Sequence, residues 1–166
     1  MKIGFKRLTD DAILPTKAHK TDSGFDLYAN EDVIIEPNET KLIKTGIAVH
    51  LPEGFEAQVR PRSGVTSKTK LRVQLGTIDN EYTGDIGIIV DNYNYEDDDC
   101  LGYYRAVDNR LTGRAEECCV HGSYYIYKGD KLAQLVVQEI PQTTAYEIHE
   151  IKDTERGSNG FGSSGY

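Results

Sequence analysis

The stretch Gly76-Thr77-Ile78-Asp79-Asn80-Glu81-Tyr82-Thr83-Gly84 reads as a hairpin: β-prone residues flank it and polar turn formers fill it. Working outward, helical periodicity is scarce, while short runs rich in Val, Ile, Tyr and Thr recur between turn signals. Candidate strands fall at 2–8, 32–35, 41–51, 56–61, 86–92, 123–127, 132–139 and 146–151. Between most of them stand turn formers: Pro37-Asn38, Pro52-Glu53-Gly54, Thr83-Gly84-Asp85 and Lys128-Gly129-Asp130. This rhythm predicts an all-β sandwich or barrel. Residues 63–70 are expected to form one short helical turn, with Ser63 as a candidate cap.

A chain of 166 residues suits a single domain that buries its own core without disulfides or structural metals. No stretch approaches the ~18–20 apolar residues of a membrane span. The opening Met1-Lys2-Ile3-Gly4-Phe5 turns polar at once and lacks the apolar core of a secretory signal, so a cytoplasmic address is expected. Cys100, Cys118 and Cys119 are odd in number and confined to one region, which points to reduced thiols. Their spacing with His121 matches no usual structural zinc pattern. A net charge of −8 disfavours direct nucleic-acid binding. Against that background Arg60, Arg62, Lys68, Lys70 and Arg72 form a run without an acid, either a solvated loop or a focus for a small polyanion.

Two segments break the strand rhythm. Residues 93–122, rich in Asp and Glu and holding every cysteine, read as an insertion. Residues 156–166 carry four glycines and three serines, too little apolar surface to pack, and read as a flexible lid. Within it Gly160, Gly162 and Gly165 match the dinucleotide fingerprint only formally, because the chain ends one residue later and no helix can follow. The physics still applies: glycines let backbone N–H groups approach phosphate, Ser163 and Ser164 add hydroxyls, Arg156 offers a fork, and Phe161 offers a ring to stack on a base.

Other short motifs are Asp22-Ser23-Gly24-Phe25-Asp26-Leu27, Arg62-Ser63-Gly64 and Gly129-Asp130-Lys131-Leu132-Ala133-Gln134-Leu135. Each alone is explained by turn chemistry. In their order, with the Asp79 segment and the tail, they resemble the five motifs of the trimeric dUTPase family.

That resemblance implies a distorted β jelly roll, assembled as a homotrimer with shared active sites and a C-terminal arm. It implies hydrolysis of dUTP to dUMP and diphosphate, limiting uracil in DNA. Asp79 is then the catalytic residue that activates the attacking water, and Tyr82 packs beneath the deoxyribose. The backbone around Gly76 and Ile78 reads uracil. Arg62, Ser63, Gly64 and Gln134 hold the phosphate chain, and Asp26 faces a Mg²⁺ ion through its waters. Phe161 and Gly162 close over the base, with Arg156, Ser163 and Ser164 on the γ-phosphate. Departures are Phe25 where Tyr is common, expected to pack, Lys131 where Arg is frequent, and Gln74 in place of a nearby Asn.

Compared with compact members the chain has roughly twenty extra residues before Gly129, as in dUTPases of some phages of Gram-positive bacteria, whose extra segment is linked to bacterial regulatory or repressor proteins. A phage source, acting in the host cytoplasm, and such a partner for 93–122 follow as expectations. The alternatives are a solvated loop at 93–122, a non-catalytic nucleotide-sensing regulatory protein, and a dCTP deaminase-like enzyme.

Overall fold

A computed structural model of the protein describes residues 2–95, 102–114 and 121–159. Phe161, Gly162, Ser163, Ser164 and the three cysteines lie outside them. The described chain is built almost wholly of strands, as the turn rhythm predicts. Strands β2 (Gly24–Tyr28), β13 (Lys131–Glu139), β6 (Phe55–Pro61) and β8 (Gly76–Ile78) form one sheet in that order. A second sheet runs β4 (Thr40–Lys44), β9 (Gly87–Asn92), β7 (Leu71–Val73). A third runs β11 (Leu111–Arg114), β10 (Tyr103–Arg105), β12 (Tyr124–Ile126), β3 (Val33–Ile35), and β1 (Gly4–Arg7) pairs with β5 (Ile47–His50). The single short helix among the described residues, α1 (Ser63–Lys68), lies where a helical turn is expected.

The sheets wrap one core whose fully buried members include Leu27, Ile35, Ile43, Ile88, Ile126 and Leu135. Each such side chain contributes on the order of 1.5–3 kcal/mol of burial. In β13 the register slips between Lys131 and Ala133. This bulge lets consecutive Leu132 and Ala133 both turn inward, each with no exposed area, while Lys131 stays at the surface. Phe25 packs as expected, edge-on to Phe5 with centroids 5.3 Å apart.

Four expectations are corrected. The run 41–51 is two strands, because Gly46 adopts φ +66° where a Cβ would meet Asn30, Ala12 and Thr9 at 2.8–2.9 Å. Residues 146–151 form no strand and are exposed, since a β-prone alternation needs a neighbour to hydrogen-bond and this chain offers none there among the described residues. The segment 93–122 is not without strands: β10 and β11 pair within it, and Arg105 aligns with Tyr124 of β12. Finally, Gly76–Gly84 is not a hairpin. Strand β8 pairs with β6 while β9 pairs with β4 and β7, so the segment carries the chain from one sheet to another.

Candidate active site

Asp26 lies within β2 with a side chain only 14% exposed, and two cations grip its carboxylate. Arg62 Nε donates to Oδ1 at 3.0 Å and Lys131 Nζ to Oδ2 at 2.8 Å. Arg62 Nη1 also donates to the Lys131 carbonyl at 3.0 Å. The hydrogen bond to Asp26, more than any other influence, raises the Lys131 pKa above its ordinary value. Gln134 faces both Asp26 on β2 and Arg60 on β6, and its Nε2 donates to the Pro61 carbonyl at 3.0 Å, fixing the backbone just before Arg62. Gly24 makes room for it: a Cβ there would sit 2.6 Å from Gln134 Oε1. Three motifs far apart in sequence thus meet at one end of one sheet.

Ser63 and Gly64 follow, exposed, as the first residues of α1. Ser63 does not cap that helix. Arg62 occupies the cap position in the extended conformation usual there, φ −93° and ψ 132°, with no side-chain cap hydrogen bond and with its guanidinium on Asp26.

Asp79 and Tyr82 stand elsewhere. Ile78 is buried at the end of β8, opposite Ala57, and the exposed Asp79 follows directly. The Tyr82 amide donates to the Asp79 carbonyl at 3.1 Å, closing a turn. Asn80 braces it, its Nδ2 directed at the carbonyls of Leu51 (3.3 Å), Pro52 (2.5 Å) and Phe55 (3.3 Å). The Tyr82 hydroxyl donates to the Asp85 carbonyl at 3.0 Å, and its ring lies over Gly84, where a Cβ would sit 2.6 Å from Cζ. Tyr82 is nonetheless 47% exposed.

The register measures how far apart these two groups are. On β6, Ala57 faces Ile78 and Pro61 faces Ala133. Ala57 and Arg62 are therefore five residues apart along an extended chain, roughly 16 Å at ~3.3 Å per residue. One chain does not bring Asp79 to Arg62. Nor does it bring Arg156, which is exposed and whose Nε donates to the Asn159 carbonyl within its own turn at 3.3 Å.

As for a metal, Asp26 is the lone carboxylate of the Arg62 cluster. A carboxylate has about four lone-pair positions, and Arg62 and Lys131 engage one on each oxygen. Among the described residues no cluster of three or more His, Cys, Asp or Glu forms a protein cage for a metal. That donor set fits a Mg²⁺ ion that arrives with phosphates and keeps its waters.

Lys131 and Asn80 were not among the site residues expected from sequence. Lys131 carried a signal, a cation inside the Gly129 motif, whereas Asn80 reads as an ordinary turn former until its carbonyl partners are known.

A dUTPase family profile matches residues 10–99 and 121–165. A deoxyuridine 5'-triphosphate nucleotidohydrolase of Clostridioides difficile is 42% identical over 97% of this chain and 96% of its own length. The dUTPase of Staphylococcus bacteriophage 80alpha, solved as a point mutant with dUpNHpp, superposes with a TM-score of 0.94 at 38% identity, covering 99% of both chains. A mutant dUTPase of phage phi11 of S. aureus, which coordinates a structural Mg(II) ion, gives 0.86 at 34% identity over 90% of this chain and 98% of that one. Fold and polar ends together define a jelly-roll hydrolase of phosphorylated nucleotides. More narrowly, the chain belongs to the dUTPase family, as a dUTP diphosphatase of the trimeric type with phage-type relatives. No helix among the described residues is long and apolar enough to cross a membrane.

Proposed function

We propose that the protein hydrolyses dUTP by water attack on the α-phosphorus, in a homotrimer whose sites each join the Asp26–Arg62–Gln134 end of one subunit to the Asp79–Tyr82 loop of another. The observation that carries this reading is the separation of those two ends on one sheet, too far for one chain to span and complementary in chemistry. Asp79, exposed on a braced loop, takes a proton from water as its oxygen attacks phosphorus. The bond from phosphorus to the bridging oxygen breaks, and diphosphate leaves with that electron pair. Arg62, with Ser63 and Gly64, faces the phosphate chain and offsets its charge, while Asp26 and Gln134 hold Arg62 in place. When bound, Mg²⁺ supplies charge neutralisation of the phosphates, with Asp26 and the cluster around it on the protein side.

Backbone groups near Gly76 and Ile78 read the uracil edge, and the Tyr82 ring supports the deoxyribose so that a 2′-hydroxyl finds no room. Arg156 and the tail residues Phe161, Gly162, Ser163 and Ser164 close over the nucleotide as a lid, excluding water and ordering the triphosphate. The same reading has the enzyme act in a cytoplasm, that of the host if the gene is a phage's.

Residues 93–122 form an insertion that takes a protein partner of the bacterial regulatory or repressor class. Supporting this, the family profile skips 100–120, and the 80alpha dUTPase belongs to phage dUTPases described as controlling transfer of virulence genes by a G protein-like mechanism. Within the segment, the β10–β11 pair presents Tyr103 and Leu111 about half exposed. Aromatic and aliphatic side chains so displayed suit a protein interface.

The decisive experiment measures diphosphate release from dUTP, UTP, dCTP and dTTP by the wild type and by Asp79→Asn. The expected result is release from dUTP alone and a fall in kcat of about 10²–10⁴ in the variant, the usual share of a general base. Ammonia release from dCTP, or undiminished turnover by Asp79→Asn, overturns the reading.

A further inference from the structure

The basic run divides in the folded chain. Arg60 donates to Gln58 and Gln138, and Arg62 grips Asp26. Lys68, Lys70 and Arg72 take no part in that cluster. They line a cavity of about 370 Å³ at the far end of α1 from Ser63, walled opposite by Arg105 and His121.

The cavity lining contains no Asp or Glu among the described residues. The guanidinium of Arg72 is fixed by its Nη1, which donates to the carbonyls of Leu71 at 2.7 Å, Thr69 at 3.0 Å and Thr66 at 3.4 Å. Its Nε and Nη2 have no protein acceptor among the described residues. The floor is Tyr124, 1% exposed, whose hydroxyl accepts the Lys70 amide at 3.0 Å and so holds that residue at the cavity. Arg105 is steered by Asn109 Oδ1 at 3.4 Å. Lys68 and Lys70 are exposed, and neither ammonium has an ion-pair or hydrogen-bond partner among the described residues.

Four cations without an acidic partner among the described residues surround one concavity, in a chain of net charge −8; they repel one another and concentrate the field on whatever anion enters. The rest of the wall is hydroxyl and amide, from Thr66, Ser67, Thr69, Asn94 and Asn109, and the Tyr124 ring beneath it is buried. The geometry points to a second, non-catalytic anion site that takes a phosphate chain of two or three units, either free or at the end of a nucleotide. The two ends of α1 would then each face phosphate, one in the catalytic cluster and one here. This inference does not rest on the dUTP reading.

The test is calorimetric titration of the full-length protein with diphosphate, first alone and then with one equivalent of dUpNHpp per chain, which the catalytic site, able to hold base, sugar and phosphates, takes before a site that holds phosphates only. The result expected is one diphosphate per chain that persists with that equivalent bound and weakens as NaCl rises. Lys68→Gln and Arg105→Gln should each raise that Kd at least about tenfold, the size of one lost charge-assisted contact. Hydrolysis by either variant should be unchanged. A parallel arm with tripolyphosphate and with ATP separates a free polyphosphate from a nucleotide as the preferred form. Lys68, exposed at the surface, guards against a folding defect in the Arg105 variant. Complete loss of diphosphate binding under dUpNHpp, an unchanged Kd in both variants, or tighter binding of an acidic peptide than of diphosphate each overturns the site. Failure of dUpNHpp to bind would instead count against the proposed function, and diphosphate binding sensitive to Lys68 would still stand.

Discussion

The two ends of the β2-β13-β6-β8 sheet solve the same problem, holding a polar side chain still, by different means. At the Asp26 end, charges hold charges: one largely buried carboxylate pairs with a guanidinium from the cap position of α1 and an ammonium from β13. At the Asp79 end the carboxylate proposed as the base is exposed and has no ion partner among the described residues, and its loop is fixed from behind by Asn80 and by the Tyr82 ring resting on Gly84. A site that binds a polyanion gains from cations already oriented by a carboxylate, because little reorganisation remains when the ligand arrives. A general base gains from being left free, since an ion pair would lower its basicity.

The largest effect that tests this contrast comes from mixing subunits. Asp79→Asn and Arg62→Ala should each be nearly inactive, yet co-refolded mixtures should recover activity. Random assembly of closed rings pairs an intact end with an intact loop at roughly a quarter of the sites. A mixture as dead as its parents would break the two-subunit site.

Next in size is Gly84→Ala, which adds a methyl group 2.6 Å from the Tyr82 ring carbon and must displace it. If that ring excludes a 2′-hydroxyl, the preference for dUTP over UTP should fall by roughly tenfold or more, read as the ratio of kcat/KM values. Asn80→Ala removes the donor shared by the carbonyls of Leu51, Pro52 and Phe55, of which Pro52 keeps the Phe55 amide. Calorimetry should show a loss of about 1–3 kcal/mol, with kcat falling more than diphosphate affinity. Equal losses in both would show that the two ends are not independent.

The smallest effect concerns the turn that delivers Lys131. Burial, above all, raises the Asp130 pKa over its ordinary 3.8, although the Tyr127 amide donates to its carboxylate. A carboxyl raised in the folded state binds its proton more tightly there than when unfolded. Its contribution is therefore fully present below pH 3.8 and is lost as pH rises through the folded value. Asp130→Asn, which keeps an acceptor for Tyr127, should thus gain slightly in Tm relative to wild type at neutral pH, and the gain should shrink as pH falls toward 3.8.

Much of this was legible before any coordinates. Turn chemistry at Gly54 and Gly129, both with positive φ, placed strand ends correctly, and the periodicity of 132–139 marked the central strand. The motifs carry Asp26, Arg62 and Gln134 of one end and Asp79 and Tyr82 of the other, without Lys131 and Asn80 as site residues. Partnership was not legible. The Gly76–Gly84 segment has local hairpin chemistry, yet its two flanks bury Ile78 and Ile88 through different sheets, and only the packed core decides between a hairpin and a crossover. Asn80 carries no sequence signal, because its worth lies in carbonyls of residues 51–55, more than twenty positions away.

The sequence by itself determined the all-β class, the motif residues and the family, because these rest on residue types, local turn geometry and motif order. The tertiary structure alone decided that Asp26 is bound to two cations, that Asp79 stands a sheet's length from Arg62, and that Lys68, Lys70 and Arg72 converge with Arg105. Those facts depend on strand register and on which surfaces meet when apolar side chains leave water. No local run of residues encodes them.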